Sequence, residues 1–135
     1  MSFEIKYSSD FYLIEVDQRA GLLRSIWLRP ITEEEMVIGG TKLYEVLRDT
    51  GVEKAIANAK DISSLTQQTK DWMAYHFYEM LSQTNLKKLA RVLPENKFHQ
   101  IGLESVITRA EALGRLRFQV KNFSDPDRAL RWLHE

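Results

Sequence analysis

Leu22-Leu23-Arg24-Ser25-Ile26-Trp27-Leu28-Arg29-Pro30-Ile31-Thr32-Glu33-Glu34-Glu35-Met36 is the stretch that decides the fold, because it contains a strand, its stop and a helix start in immediate succession. From Leu22 to Arg29, apolar residues with β-branched and aromatic members alternate with polar ones, the pattern of a pleated, half-buried segment. Pro30 has no backbone N–H and ends it. Thr32 followed three residues later by Glu35 is a capping box, and Ile31 and Met36 are spaced to close a hydrophobic staple around it. A strand feeding directly into a helix is the unit of an α/β sheet.

Working upstream, Phe11 to Asp17 alternates in the same way, and Gln18-Arg19-Ala20-Gly21 supplies turn chemistry between the two segments, so they are expected to pair as an antiparallel hairpin. Phe3 to Tyr7 either extends the first strand or forms a short one of its own, since Ser8-Ser9-Asp10 punctuates the run.

Downstream, Met36, Gly40, Leu43, Tyr44 and Leu47 lie on one helical face until Gly51 stops the helix. Gly39-Gly40 sits inside it. Each glycine costs up to about 1 kcal/mol relative to alanine, so the pair implies close packing against the sheet or a bend, with ligand contact as the alternative. Lys54 to Ala59 is short and apolar, as expected of a strand covered on both faces. A polar loop, Lys60 to Leu65, leads to Thr66 as the cap of a second helix, which is expected to bury Met73, Phe77, Met80 and Leu81, with Trp72 and His76 along its flank. Lys88 to Leu93 is the next strand, closed by Pro94. Asn96 caps a third helix with Leu103, Val106, Ile107 and Ala110 on one face, stopped by Gly114. Leu116, Phe118 and Val120 alternate with polar residues as in a strand near a sheet edge, and Ser124 is expected to cap a last helix carrying Pro126, Ala129, Leu130 and Leu133. The order predicts one α/β domain, residues 1–135: a mixed, mostly parallel sheet of about five strands with an N-terminal antiparallel hairpin and four helices.

With 135 residues the chain is long enough for a core that needs no staples. Nineteen basic side chains balance nineteen acidic ones, so no overall field draws in a polyanion, and nucleic acid is not an expected partner. The absence of cysteine removes disulfides, thiolate zinc sites and thiol nucleophiles together. Met1 to Asp10 contains Glu4 and Lys6 and lacks the basic start and apolar run of a secretory signal. No later stretch approaches the roughly 20 apolar residues that span a bilayer. The expectation is a cytoplasmic protein without a membrane span.

The glycine-rich turns that let backbone amides approach phosphate in dinucleotide and P-loop sites are missing, and Ser63 and Ser64 lack the flanking glycines of a hydrolase nucleophile turn. His76, His99 and His134 are far apart and do not form a helical metal-ligand pair. His76 with Glu79 is the one acid–base pair the spacing offers. No cofactor is expected, and a non-enzymatic role is favoured. The candidate site is the loop at the start of the second helix, with Lys60, Asp61, Ser63, Ser64 and Thr66 as partner-binding or phosphorylation residues. It leaves the carboxyl end of a buried strand, and added phosphate there would reorganise a docking surface. Trp72, Tyr75 and His76 form a candidate aromatic contact surface for a protein partner or a second copy of the chain.

Tyr12-Leu13-Ile14-Glu15-Val16, Leu22 through Pro30, Asp71-Trp72, Val92-Leu93-Pro94-Glu95 and Ala129-Leu130-Arg131-Trp132-Leu133 together resemble the STAS-like superfamily, and more closely its small bacterial single-domain branch, the SpoIIAA-like or STAS/CRAL-TRIO-like proteins. In regulatory members the resemblance implies a serine or threonine phosphorylated by a partner kinase within an Asp-Ser-Ser/Thr-Gly motif at the second helix. Here Asp61 and Ser63-Ser64 stand near that place, with Ile62 intervening and no glycine following. Other relatives imply a pocket for an apolar ligand, which leaves a carrier or sensor of a small apolar or anionic ligand as the alternative function.

Overall fold

The computed structural model describes residues 2–135. The elements in chain order are β1 (Glu4–Ser8), β2 (Tyr12–Asp17), β3 (Leu22–Trp27), α1 (Glu33–Thr50), β4 (Lys54–Asn58), α2 (Gln67–Trp72), a π-helical turn (Met73–Phe77), α3 (Tyr78–Ser82), β5 (Lys88–Val92), α4 (Lys97–Ala112), β6 (Gln119–Phe123) and α5 (Pro126–Leu133). The segment α2, π turn and α3 is one uninterrupted helical rod, so the fold has four helical bodies, as expected. The sheet has six strands rather than about five, in the spatial order β1-β2-β3-β4-β5-β6.

The extra strand comes from the serine turn. Ser9 Oγ accepts the N–H groups of Phe11 at 3.3 Å and Tyr12 at 3.1 Å, while the Ser9 N–H reaches the Tyr12 carbonyl at 3.0 Å. That turn folds Glu4–Ser8 back onto β2 as an antiparallel edge, with a register shift between Ile5 and Tyr7. β2 and β3 then form the expected hairpin, closed by Gly21 at φ +65° and by Asp17, which accepts the Ala20 N–H. β3 to β6 pair in parallel.

α1 begins as the capping box dictates: Thr32 Oγ1 accepts the Glu35 N–H at 3.1 Å and Glu35 accepts the Thr32 N–H at 3.0 Å. Gly51, at φ +68°, ends the helix in the left-handed conformation. Within it, a Cβ at Gly39 would lie 2.6 Å from the Trp27 ring and 2.9 Å from Tyr12, and one at Gly40 would lie 2.9 Å from Trp72. The glycine pair is therefore the bare strip on which aromatic rings from β2, β3 and α2 rest, not a ligand contact.

Side-chain alternation sorts the core into two layers. Tyr12, Ile14, Val16, Leu23, Trp27, Ala55 and Leu89 face α1, the α2–α3 rod and α4, while Leu22, Ile56, Ala90 and Val92 face the other way, onto Ala129 and Leu133 of α5. All three strand-to-strand crossovers thus lie on one side of the sheet.

The π turn explains a difference from the expected packing. Thr69, Met73, Phe77 and Leu81 are all buried and recur every fourth residue. In a pure α-helix of about 3.6 residues per turn that spacing drifts around the rod. The wider π turn absorbs the drift, keeps the fourfold row facing the sheet and adds Ala74 and Tyr78 to it. Met80, expected in the core, is rotated to a half-buried position.

Two C-terminal boundaries also move. The last strand is Gln119–Phe123, because the backbone ahead of it is bound elsewhere: the Arg115 N–H donates to Ala110 O, and Ser82 Oγ donates to Arg115 O and accepts the Arg117 N–H. Leu116 and Phe118 instead pack as loop residues against the large core. Asp125, not Ser124, caps α5, accepting the Asp127 N–H at 3.0 Å, with Pro126 in the first helical turn.

Candidate functional site

The expected loop site is anchored by its apolar residues and displays its polar ones. Ile62 is 2% exposed and Leu65 packs half-buried against the same core. The Ile62 N–H donates to Ala59 O and the Lys60 N–H to Asn58 Oδ1. Thr66 caps α2, its hydroxyl accepting the Thr69 N–H and sharing a 2.9 Å hydrogen bond with the Thr69 hydroxyl. That leaves Lys60, Asp61 and Ser64 exposed and Ser63 half-buried. Lys60 and Asp61 line one bank of an open groove of about 450 Å³ whose other bank is Pro94, Glu95, Asn96 and His99. Ser63 and Ser64 are outside it. Asn96 is occupied in capping α4, accepting the N–H groups of Phe98 and His99. Because the strands run in sequential order with every crossover on one face, the sheet has no order reversal of the kind that opens a ligand crevice between neighbouring strands. The groove is a surface feature between two loops.

The aromatic surface is split. Trp72 turns inward, half-buried over Gly40 and stacked on Phe77 with ring centroids 5.5 Å apart. Tyr75 and His76 are exposed on the π turn. Tyr75 lies beneath the Arg109 guanidinium, 5.2 Å from its ring centre, and Arg109 is held by Asp71 at 2.7 Å. Hydrogen bonds from Gln67 and then Arg109 hold the Asp71 carboxyl below its ordinary range. His76 and Glu79 do not form a pair: Glu79 is taken by Arg115 at 2.5 Å.

A residue not singled out in the sequence is the most unusual group in the fold. Arg91 on β5 points into the large core and is 3% exposed. Its Nε donates to Asn122 Oδ1 at 2.9 Å, and its two terminal nitrogens donate to the Tyr78 hydroxyl at 3.2 Å and the Leu103 carbonyl at 3.0 Å. All these acceptors are neutral, and among the described residues no carboxylate forms a salt bridge with it. A buried guanidinium is normally paired, because desolvating a charge costs several kcal/mol. Arg91 forms part of the wall of an internal cavity of about 40 Å³, together with Met36, Ile62, Met73, Tyr78 and Leu103. The signal was present in the sequence: one arginine in Leu89-Ala90-Arg91-Val92-Leu93, on a strand covered on both faces.

Tyr12, also on the cavity wall, stacks on Trp27 at 3.6 Å, and burial pushes its hydroxyl pKa well above the ordinary range, so it remains neutral. The nearby Ser25 hydroxyl is buried and makes no hydrogen bond of good geometry. Among the described residues no group of three or more His, Asp or Glu side chains could hold a metal ion, and no helix is long and apolar enough to cross a membrane.

Fold and site together define a mixed α/β domain with three helical bodies on one face of the sheet and α5 on the other, a displayed loop and a small cavity with Arg91 in its wall. No family model and no curated protein matches the sequence. Among solved structures the chain is similar to an uncharacterized protein of the DUF3478 family from Shewanella loihica PV-4, described as having a SpoIIAA-like fold. The identity is 18%, 98% of this chain and 92% of that one are covered, and the TM-score is 0.48.

Proposed function

We propose that the chain is a non-enzymatic, cytoplasmic binding module that docks a protein partner, or a second copy of itself, on the end of the sheet where the Lys60–Thr66 loop meets the Pro94–Asn96 turn. The observation that carries this reading is the division of labour in the loop: Ile62 and Leu65 clamp it to the core, while Lys60, Asp61 and Ser64 face outward beside an open groove. A loop rigidly held and polar at its tip presents a surface with little ordering cost on binding. Phosphorylation of Ser64, which is exposed, would add about two negative charges at that surface.

Recovery of partners on immobilised full-length protein, compared among wild type, Lys60→Glu, Ser64→Asp and Tyr75→Ala, tests it. The loop variants are expected to lose partners that wild type retains. Unchanged recovery with all three variants would remove the proposal. Trp72 is unsuitable for this purpose because its ring supports the core beside Gly40.

A second reading, a carrier or sensor of a small ligand, is favoured by the carboxylate-free Arg91 at the wall of the internal cavity.

A further inference from the structure

We infer that the internal cavity binds a small organic monocarboxylate, its carboxylate paired with Arg91 and its apolar end lying between Met36 and Met73; this rests on the second, ligand-binding reading above.

The Arg91 side chain is a guanidinium cation with five N–H donors and no acceptor. Its burial without an acid leaves that charge balanced only by the dipoles of Asn122, Tyr78 and Leu103. Among the described residues each of its nitrogens makes one hydrogen bond, which leaves the second N–H of each terminal nitrogen for another acceptor. A planar fork with donors to spare is the group that recognises a carboxylate. An apolar wall around it then favours an anion carrying hydrocarbon over a hydrated inorganic one.

The size of the space narrows the class. At about 40 Å³ the cavity is a fraction of the roughly 150 Å³ that holds a benzene ring in an engineered core. It accepts a carboxylate group as it stands, and a tail only if the wall yields. Met36 and Met73 form part of that wall and are both buried. Unbranched thioether chains re-pack more readily than branched aliphatics, so the pliable part of the lining offers room for a few carbons. A long acyl chain would also have to displace the ring stack of Tyr12 and Trp27.

Isothermal titration and thermal unfolding of the full chain, with acetate, butyrate, hexanoate, octanoate and benzoate set against 1-butanol, 1-hexanol and benzamide, test the inference. The expected result is saturable binding and a raised Tm with butyrate or hexanoate, weaker binding of the bulkier octanoate and benzoate, and about tenfold or more weaker binding of the uncharged analogue of the same size. Arg91→Lys is expected to weaken carboxylate binding and Arg91→Met to abolish it. The acid-versus-alcohol comparison needs no variant, so it decides the matter even if Arg91→Met does not fold. Equal binding of acids and their uncharged analogues would overturn the carboxylate assignment while leaving a ligand-binding cavity standing. Absence of binding by every compound would overturn both, and undiminished carboxylate binding by Arg91→Met would remove Arg91 from the site.

Discussion

A single hydrogen in place of a methyl group decides how closely α1 approaches the sheet. With a Cβ at Gly39 only 2.6 Å from Trp27, the Gly39→Ala variant must move a ring stack that is itself fully packed. It is expected to unfold about 1–3 kcal/mol more easily in urea. Gly102, inside α4, is the control, since nothing lies within 4 Å of its would-be Cβ. Gly102→Ala is expected to stabilise the protein by about 0.5–1 kcal/mol through helix propensity alone. The same residue type at two helical positions thus gives opposite signs, and the sequence could distinguish them only in part: the doubled glycine in α1 announced a close approach, but not that aromatic rings were what approached. Arg91 was hidden for a related reason. Its strand was recognised, whereas its meaning depends on Tyr78, Leu103 and Asn122, which come from three other segments and are brought together only by the tertiary fold.

At the scale of elements, the N-terminal signals were the most legible, because a cap is a local hydrogen bond between residues two or three apart. Thr32, Thr66 and Asn96 all cap where the sequence places them. The strand expected at Leu116–Val120 had the right alternation, but the backbone entering it, Arg115 and Arg117, is committed to Ala110 and Ser82, a competition no local pattern records. The α1 cap also has a testable acid response. Hydrogen bonds from Arg29 and then from the Thr32 N–H hold Glu35 at about 2, against an ordinary 4.5. Between those values the unfolded chain binds a proton that the folded chain refuses. The contribution of Glu35 to stability is therefore complete above pH 4.5 and lost as the pH falls towards 2. Urea midpoints measured across that interval are expected to fall less steeply for Glu35→Gln than for wild type, the two curves drawing together at the acid end. On the opposite face of the sheet, α5 stands alone over Leu22, Ile56, Ala90 and Val92. Leu133, fully buried there, is expected to cost about 2–5 kcal/mol on substitution by alanine, read from the same denaturation experiment.

Over the whole molecule, protection is graded from the middle of the sheet outward. β2, β3, β4 and β5 each have two hydrogen-bonded neighbours, whereas β1 and β6 are edges, and β1 exposes most of its residues, including Ile5 at 60%. Amide hydrogen exchange under native conditions is expected to be slowest in Lys54–Asn58 and Lys88–Val92 and fastest in Glu4–Ser8. Equal protection in β1 and β4 would mean that the outer edge is covered in solution. The mixed sheet and its helices were readable because each crossover leaves a strand–helix–strand pattern in one contiguous stretch; the displayed loop was readable because its polar residues cluster within seven positions of the chain.

The coincidence of strand order in space with strand order in the chain has a further consequence for how the protein is made. Each strand leaving the ribosome finds its neighbour already synthesised, and no strand has to be inserted between two that have paired. Growth can proceed from the β2–β3 hairpin, one strand and one helix at a time. The second layer has to wait for α5, which follows β6 in the chain: until it folds under β4 and β5, Ile56 and Val92 remain uncovered. Docking of α5 is therefore what seals that face of the sheet.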